Sequence, residues 1–321
     1  MREYFVSEKN YAEIMTKTVE PFLAALRRED FMESFDGRSI HYEAYPVENA
    51  KGVVVISHGF TESAEKFREM VYYFIKMGFA VFAHDHRGHG KSARLNNDPQ
   101  TVAVGKFSDY VEDLHLLVRG VVQPFAGDKP LYLYCHSMGG AVGVQYLQEH
   151  PGVFTKAVLS APMILCKCSG MPPKFALALT KAFCLCGKKD ERVFVYKGFD
   201  PHRTYENSHD TSKARFDYYQ AKRVANPCYQ TASASYNWVV EAVKVAGKNL
   251  DPARCRKIDI PVLLCQPEQD ASVYSEKEDA FIQLIPNGRL ISFPESKHEI
   301  YASVDNTVVM YLDEIESFLN C

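Results

Sequence analysis

No hydrophobic run in this chain is long enough to cross a bilayer, so nothing in it reads as a membrane span. No sign of charge dominates either: 37 Lys and Arg stand against 40 Asp and Glu, a formal net charge of −3. Without a basic excess there is no electrostatic case for nucleic acid as a partner. Internal repeats and low-complexity tracts are absent. Met1 to Lys9 holds Arg2, Glu3, Glu8 and Lys9 and no apolar stretch, so no secretory signal is expected. Nine cysteines are scattered over 321 residues without the dense spacing of a small disulfide framework. Free thiols in a reducing cytoplasm are therefore the expectation. With 46% apolar residues, the chain can bury a large core.

What is present is a serine between a strand and a helix. Leu131 to Cys135 is an apolar, β-prone run that stops at His136-Ser137. Met138-Gly139-Gly140-Ala141 follow, and Val142 to Glu149 reads as a helix. Strand, serine and helix in that order make a nucleophile elbow, a turn so tight that the serine is strained. The residue two positions on has no room for a Cβ, and Gly139 meets that need. Ser137 then stands at a helix N-terminus, where backbone N–H groups face a developing oxyanion. Cys135 occupies a position where such elbows usually carry glycine, and a thiol is small and apolar enough to fit. The bland reading, a serine capping an ordinary helix, is tested by asking the chain for partners.

Partners are present in the order the elbow requires. Upstream, the buried strand Gly52 to Ser57 runs into His58-Gly59-Phe60-Thr61-Glu62, where the Phe60 N–H can face the same oxygen as the Met138 N–H. Two such donors contribute roughly 3–4 kcal/mol each. His58 precedes the serine and fits a hydrogen-bonding role under the loop better than that of a base. Downstream, the strand Pro261 to Cys265 exits through Gln266-Pro267-Glu268-Gln269-Asp270, and Asp270 is the acid of choice over Glu268 because it stands farther along the turn. The strand Arg289 to Phe293 leads to a loop carrying His298, where a base can swing over the sheet to Ser137. Ser137, Asp270 and His298 are thus the candidate catalytic residues, with Phe60 and Met138 as oxyanion donors.

Another loop, His84-Asp85-His86-Arg87-Gly88-His89-Gly90, follows the strand Phe79 to Ala83. Its histidines invite a metal reading. Their spacing on a glycine-broken loop is poor for a preorganised site, and an Asp85–Arg87 pair tying the loop down is expected instead. Neither metal nor cofactor is expected.

These motifs carry a resemblance. His58 to Glu62, Asp85 to Ser92, His136 to Gly140, Asp270 and His298-Glu299-Ile300 resemble the α/β-hydrolases of the lysophospholipase and monoacylglycerol lipase group, most of all its bacterial lysophospholipase L2 branch. The likeness continues through Asn207, Ser212, Arg215-Phe216, Asn226-Pro227 and Tyr236 to Val239. It implies hydrolysis of a single acyl ester by Ser137, Asp270 and His298. Two departures stand out: Cys135, and Ala232-Ser233-Ala234-Ser235 where the group tends to carry a glycine–proline turn. The second bears on substrate choice.

The expected architecture is an α/β-hydrolase fold, a mostly parallel eight-stranded sheet with helices on both faces and an inserted helical cap. Residues 1–162 and 257–321 form the two parts of the core, with a helix at 11–28 outside the sheet. Phe31 to Phe35 and Ser39 to Tyr45 pair as an edge hairpin through Asp36-Gly37. Residues 163–256 are too many for a loop and form the cap. Within it, prolines at 172 and 173 start a helix and Gly187 ends it. Phe175, Leu179, Ala182, Phe183 and Cys186 share one face, opposite Thr180 and Lys181. That face either lines an acyl channel and touches lipid or packs on the core. Phe175, Leu179, Phe183 and Trp238 are the candidate substrate-binding residues. Cys166, Cys168, Cys184 and Cys186 read as small buried hydrophobes in preference to a zinc site. The partner implied is a small lipid ester, with transient membrane-surface contact through the cap. A short-chain carboxylesterase and a serine aminopeptidase are the alternatives, the latter disfavoured because the cap shows no obvious paired carboxylates for a substrate amine. A non-catalytic ligand binder on the same fold is the remaining class.

Overall fold

A computed structural model describes residues 2–320. One sheet contains β1 (Arg28–Glu33), β2 (Ser39–Tyr45), β3 (Val53–Ser57), β4 (Ala80–His84), β5 (Leu131–His136), β6 (Lys156–Ser160), β7 (Val262–Pro267) and β8 (Gly288–Phe293). Their spatial order is β1-β2-β4-β3-β5-β6-β7-β8. β2 runs antiparallel to β1 and β4, and every other neighbouring pair is parallel. The mostly parallel eight-stranded sheet is as expected from the sequence; the edge hairpin is present too, but its first strand starts at Arg28 in place of Phe31, because the N-terminal helix stops at Leu26 and not at residue 28. Gly37 supplies the positive φ of the hairpin turn.

Residues of β3, β4 and β5 are buried throughout, which is why those segments read as unbroken apolar runs. Alternation divides them between two cores. Val53, Val55, Leu131, Leu133 and Cys135 face α2 (Ser108–Leu117) and α3 (Met138–Glu149). Val54, Ile56, Tyr132 and Tyr134 face α1 (Arg68–Lys76) and α8 (Asp305–Asn320). Chain order reverses between β3 and β5, so their carboxyl ends open a crevice between adjacent strands. Ser57 pairs with Cys135 at that edge.

Between β6 and β7 lie α4 (Pro173–Phe183), α5 (Lys213–Ala225) and α6 (Tyr236–Asn249), and α7 (Ser275–Ile282) joins β7 to β8. Ser233–Ala234 pairs with Thr101–Val102, and Ser235 caps α6 by accepting from the Trp238 N–H. At this departure from the resembled group, the serines thus serve a short ribbon and a helix cap. α5 is held by Arg215, buried and bonded to Glu69 of α1 at 2.9 Å, Asp305 of α8 at 3.2 Å and the Val6 carbonyl at 2.8 Å. The N-terminal segment is helical as Tyr11–Ile14, Met15–Val19 and Glu20–Leu26, the middle piece a π turn. Among the described residues, no helix is long and apolar enough to cross a membrane.

The thiol at the elbow is accommodated from the opposite side. A Cβ on Gly143 of α3 would run into Cys135 Sγ. The missing bulk has moved from strand to helix. Gly143→Ala should therefore destabilise the fold by about 1–3 kcal/mol, and adding Cys135→Ala should restore most of the loss. Urea midpoints of the two single variants and the double variant measure this coupling; additive effects would show that the residues do not compete for the same space.

Candidate active site

Ser137 sits at the carboxyl end of β5 with φ 51° and ψ −115°. A side chain at Gly139 would be driven into the Ser57 carbonyl oxygen, and one at Gly140 would lie 2.5 Å from Pro162 Cβ. The Ser137 N–H donates to the Ser160 carbonyl at 3.1 Å, and its own carbonyl accepts from Gly140 and Met163, each at 2.8 Å. This strained turn is thus held by β6, the residue Met163 beyond it and the first turn of α3.

His298, on the loop after β8, brings Nε2 to 2.8 Å from Ser137 Oγ and Nδ1 to 2.6 Å from Asp270 Oδ2. Asp270 Oδ1 accepts from the N–H groups of Ser272 at 2.6 Å and Val273 at 3.0 Å, which aims its other oxygen at the imidazole. Glu268 is exposed and outside this chain of bonds. Burial pushes the His298 pKa down, but the Asp270 charge and hydrogen bond outweigh it, and the net shift is upward. Burial likewise opposes the Asp270 charge, and His298 and the two backbone donors hold its pKa below the usual value.

The Phe60 and Met138 N–H groups have no hydrogen-bond partner among the described residues. Both flank Ser137: a Cβ on Gly59 would lie 3.1 Å from Ser137 Cβ. The loop is clamped from below by Glu62, which accepts from the Gly59 N–H at 2.6 Å and the Tyr301 hydroxyl at 2.6 Å. Lys66 Nζ bridges Glu62 at 3.1 Å and Glu299 at 2.5 Å. Lys66 and Tyr301 were missed in the sequence; a carboxylate three residues after a turn glycine was the available signal. His58 donates through Nδ1 to the Gly59 carbonyl at 2.7 Å and accepts the His86 N–H at 2.9 Å, so it supports the loop as anticipated.

Asp85 and Arg87 do not pair. Asp85 turns under Gly90, accepts from the Ala64 and Lys91 N–H groups, both at 2.8 Å, and pairs with His41 at 2.8 Å. Arg87 faces the opposite way and forks onto Asp113 of α2 at 2.6 and 2.7 Å. Both still tie the loop down, each to a different neighbour. His84, His86 and His89 are buried, and burial pushes their pKa values down. Glu29, His41 and Glu43 converge within 4.8 Å, but Lys91 and Arg68 already neutralise those carboxylates.

A cavity of about 430 Å³ opens above Ser137 and His298, within the usual range for small-molecule sites. Met163, Met171, Ala176, Val193, Trp238 and Val239 give it an apolar side. Trp238 is where expected, stacked near Phe60 with ring centroids 4.0 Å apart. Phe175, Leu179 and Phe183 are outside the lining. Phe175 is 59% exposed, and Phe183 stacks on Tyr236 at 4.4 Å. α4 turns its small residues inward: Ala176 and Thr180 line the cavity, and the Thr180 hydroxyl is satisfied by the Ala176 carbonyl at 2.7 Å. Close approach to α6 favours small side chains over the bulky face. Of the cap thiols, Cys168 is buried, Cys166 and Cys184 are half-buried, and Cys186 is exposed, which corrects the reading of all four as buried.

A model of the hydrolase family described as serine aminopeptidase, S33, matches residues 48–305. The chain belongs to this family. Lysophospholipase L2 of Escherichia coli (strain K12) is 28% identical over 317 residues, 94% of this chain and 91% of that protein. Human monoglyceride lipase is 32% identical over 120 residues, 37% of this chain and 38% of that protein. A soluble variant of Saccharomyces cerevisiae monoglyceride lipase in complex with a substrate analog superposes with a TM-score of 0.73 at 20% identity, over 90% of this chain and 94% of that one. A carboxyl esterase from Bacillus coagulans in complex with glycerol gives 0.74 at 21%, over 92% and 98%. The shared fold is the α/β-hydrolase fold.

For a base on His298, the upward pKa shift has a definite sign. The neutral imidazole is lost as pH falls through the raised value, so the acid limb of kcat/KM should have its midpoint above 6.5. Asp270→Asn removes the opposing charge and leaves burial, moving that limb downward while costing on the order of 10⁴ in kcat. Glu268→Gln should leave both quantities close to the parent. An unshifted limb in Asp270→Asn would assign it to another group.

Proposed function

We propose that this chain is a serine ester hydrolase of lipid monoesters, a lysophospholipid or monoacylglycerol, acting through an acyl-enzyme. The observation that carries this reading is the unbroken chain of hydrogen bonds from Ser137 through His298 to Asp270 at the floor of a half-apolar cavity. Ser137 Oγ attacks the ester carbonyl as His298 Nε2 takes its proton, and Asp270 holds the imidazole tautomer. The oxyanion is received by the Phe60 and Met138 N–H groups. His298 returns the proton to the departing alcohol, and water repeats the sequence on the acyl-enzyme. Residues 163–256 act as the cap that shapes the acyl side.

The names of the relatives support a lipid ester over a peptide, and the cavity supports the same choice. Asp210 from the cap does stand against Glu299, a carboxyl pair that the sequence did not reveal. An aminopeptidase would use such a pair for the substrate ammonium. Here the Lys66 ammonium already occupies that place, 2.5 Å from Glu299. A substrate amine would have to displace a buried, doubly paired lysine.

Ser137→Ala should lower ester hydrolysis by roughly 10⁴–10⁶-fold and abolish labelling by a fluorophosphonate. In the parent, kcat/KM should rise with acyl length, by about two orders of magnitude for four added methylenes at about 0.8 kcal/mol each. A steady preference for acetate esters would favour a short-chain esterase. The outer face of α4 and the segment after it expose Phe175, Leu185 and Phe194 beside Lys174, Lys181 and Lys188. This mixture suits the headgroup layer of an anionic membrane. Leu185→Glu with Phe194→Glu should cut turnover on substrate held in anionic vesicles at least tenfold and spare dispersed p-nitrophenyl butyrate. Equal rates on vesicles would remove the membrane role.

A further inference from the structure

Opposite its apolar side, the cavity is lined by charge, and most of that charge is already matched. Arg215 pairs with Glu69, Arg68 with Glu43 and Glu65, and Lys222 with Glu20 and Glu65. Lys66 serves Glu62 and Glu299. Three cations in the lining are left over, and one of them, Lys167, donates to the Asp270 backbone carbonyl at 2.7 Å and lies over the Tyr274 ring. Arg203 and Arg223 have no carboxylate oxygen within 4.0 Å among the described residues. Arg203 donates only to the Asn207 carbonyl, at 2.9 Å. Arg223 is 8% exposed and is fixed by the Tyr229 and Thr231 carbonyls at 3.0 and 2.8 Å, which occupy two of its five N–H groups. Its guanidinium lies over Phe199, 4.7 Å from the ring centre.

A desolvated guanidinium without a counter-charge is costly to maintain. The same wall holds two buried hydroxyls, those of Tyr219 and Ser63, which have no hydrogen-bond partner of standard geometry and only one another nearby. The remaining acid on this side, Asp210, is driven by burial and by Glu299 toward its protonated form. The wall thus places two guanidinium groups that no carboxylate answers beside a buried phenol hydroxyl, all three residues lining the same cavity.

We propose that Arg203, Arg223 and the Tyr219 hydroxyl form a subsite for the phosphate of a lysophospholipid head group, which distinguishes that substrate from an uncharged monoacylglycerol. This rests on the lipid-ester reading and narrows it. An acyl glycerophosphodiester places its anion a short glycerol away from the scissile ester, so one molecule can reach Ser137 and the arginines in the same cavity. Charge-assisted bonds to a phosphate match the guanidinium fork. A monoacylglycerol leaves both guanidinium groups unanswered.

The test compares an acyl glycerophosphoglycerol with the monoacylglycerol of the same acyl chain, both below their critical micelle concentrations. Arg203→Gln and Tyr219→Phe should each raise KM for the phosphodiester 10- to 100-fold, at least tenfold more than for the monoacylglycerol. Arg223→Lys keeps the charge but loses the fork and should fall in the same direction; unchanged thermal midpoints separate these effects from misfolding. Parallel losses on the two substrates would overturn the subsite. As a second arm, glycerophosphoglycerol should compete with p-nitrophenyl butyrate in the parent and lose its effect in Arg203→Gln. No competition, or equally strong competition by inorganic phosphate, would overturn the head-group assignment. Failure of the parent on both lipids, with p-nitrophenyl butyrate still turned over, is a separate result that would overturn the lipid-ester reading itself.

Discussion

The positive-φ turn at Ser137 is the constraint around which the carboxyl edge of the sheet is arranged. Such a backbone costs on the order of 1–3 kcal/mol, and the bonds to Ser160, Gly140 and Met163 offset it. Those bonds require β6 and the residues after it to lie flush against the turn. They also require α3 to start so near β3 that only glycine fits at 139. The closeness of α3 to β3 then fixes where the Gly59–Phe60 loop runs, and Glu62 and Lys66 pin that loop from beneath. Strain at one residue thus propagates into a set of close backbone approaches, and the geometry of the site follows from them.

Much of this was legible because it is local or periodic. The strands were visible as buried runs between turn residues, and the elbow as a serine between a strand and small residues. Asp270 and His298 could be located because each follows a strand at a loop exit. What escaped depends on side chains from distant segments meeting in space. The Lys66 bridge joins residues 233 apart in sequence, which no pattern reveals. The Asp85–Arg87 pairing failed because each residue is taken by a distant partner, Asp85 by His41 and Arg87 by Asp113. The face of α4 was misjudged for a physical reason: hydrophobicity marks which residues avoid water, whereas helix packing selected the small side chains of Ala176 and Thr180 for the close contact.

The cavity therefore has two chemical halves set by different parts of the chain. The apolar half is mainly the work of α4, α6 and the residues after β6. The charged half is built from α5, the loops beside it and the segment after β3. A molecule with one apolar and one polar end has a single sensible orientation here, with its junction over Ser137. Orientation of that kind supplies part of the catalytic effect before any bond changes, because the reacting carbonyl is delivered in place.

Arg215 gives these halves unequal freedom. It is buried in bonds to α1, α8 and the N-terminal segment, so moving α5 outward would strip a charged group of its partners, at about 3–5 kcal/mol. The α4 side is held instead by packing on α6, with Phe183 stacked on Tyr236 at 4.4 Å. The two sides are thus fastened by different forces, the α5 side by ion pairs whose loss would leave a buried charge and the α4 side by apolar contact, which is non-directional and tolerates small shifts.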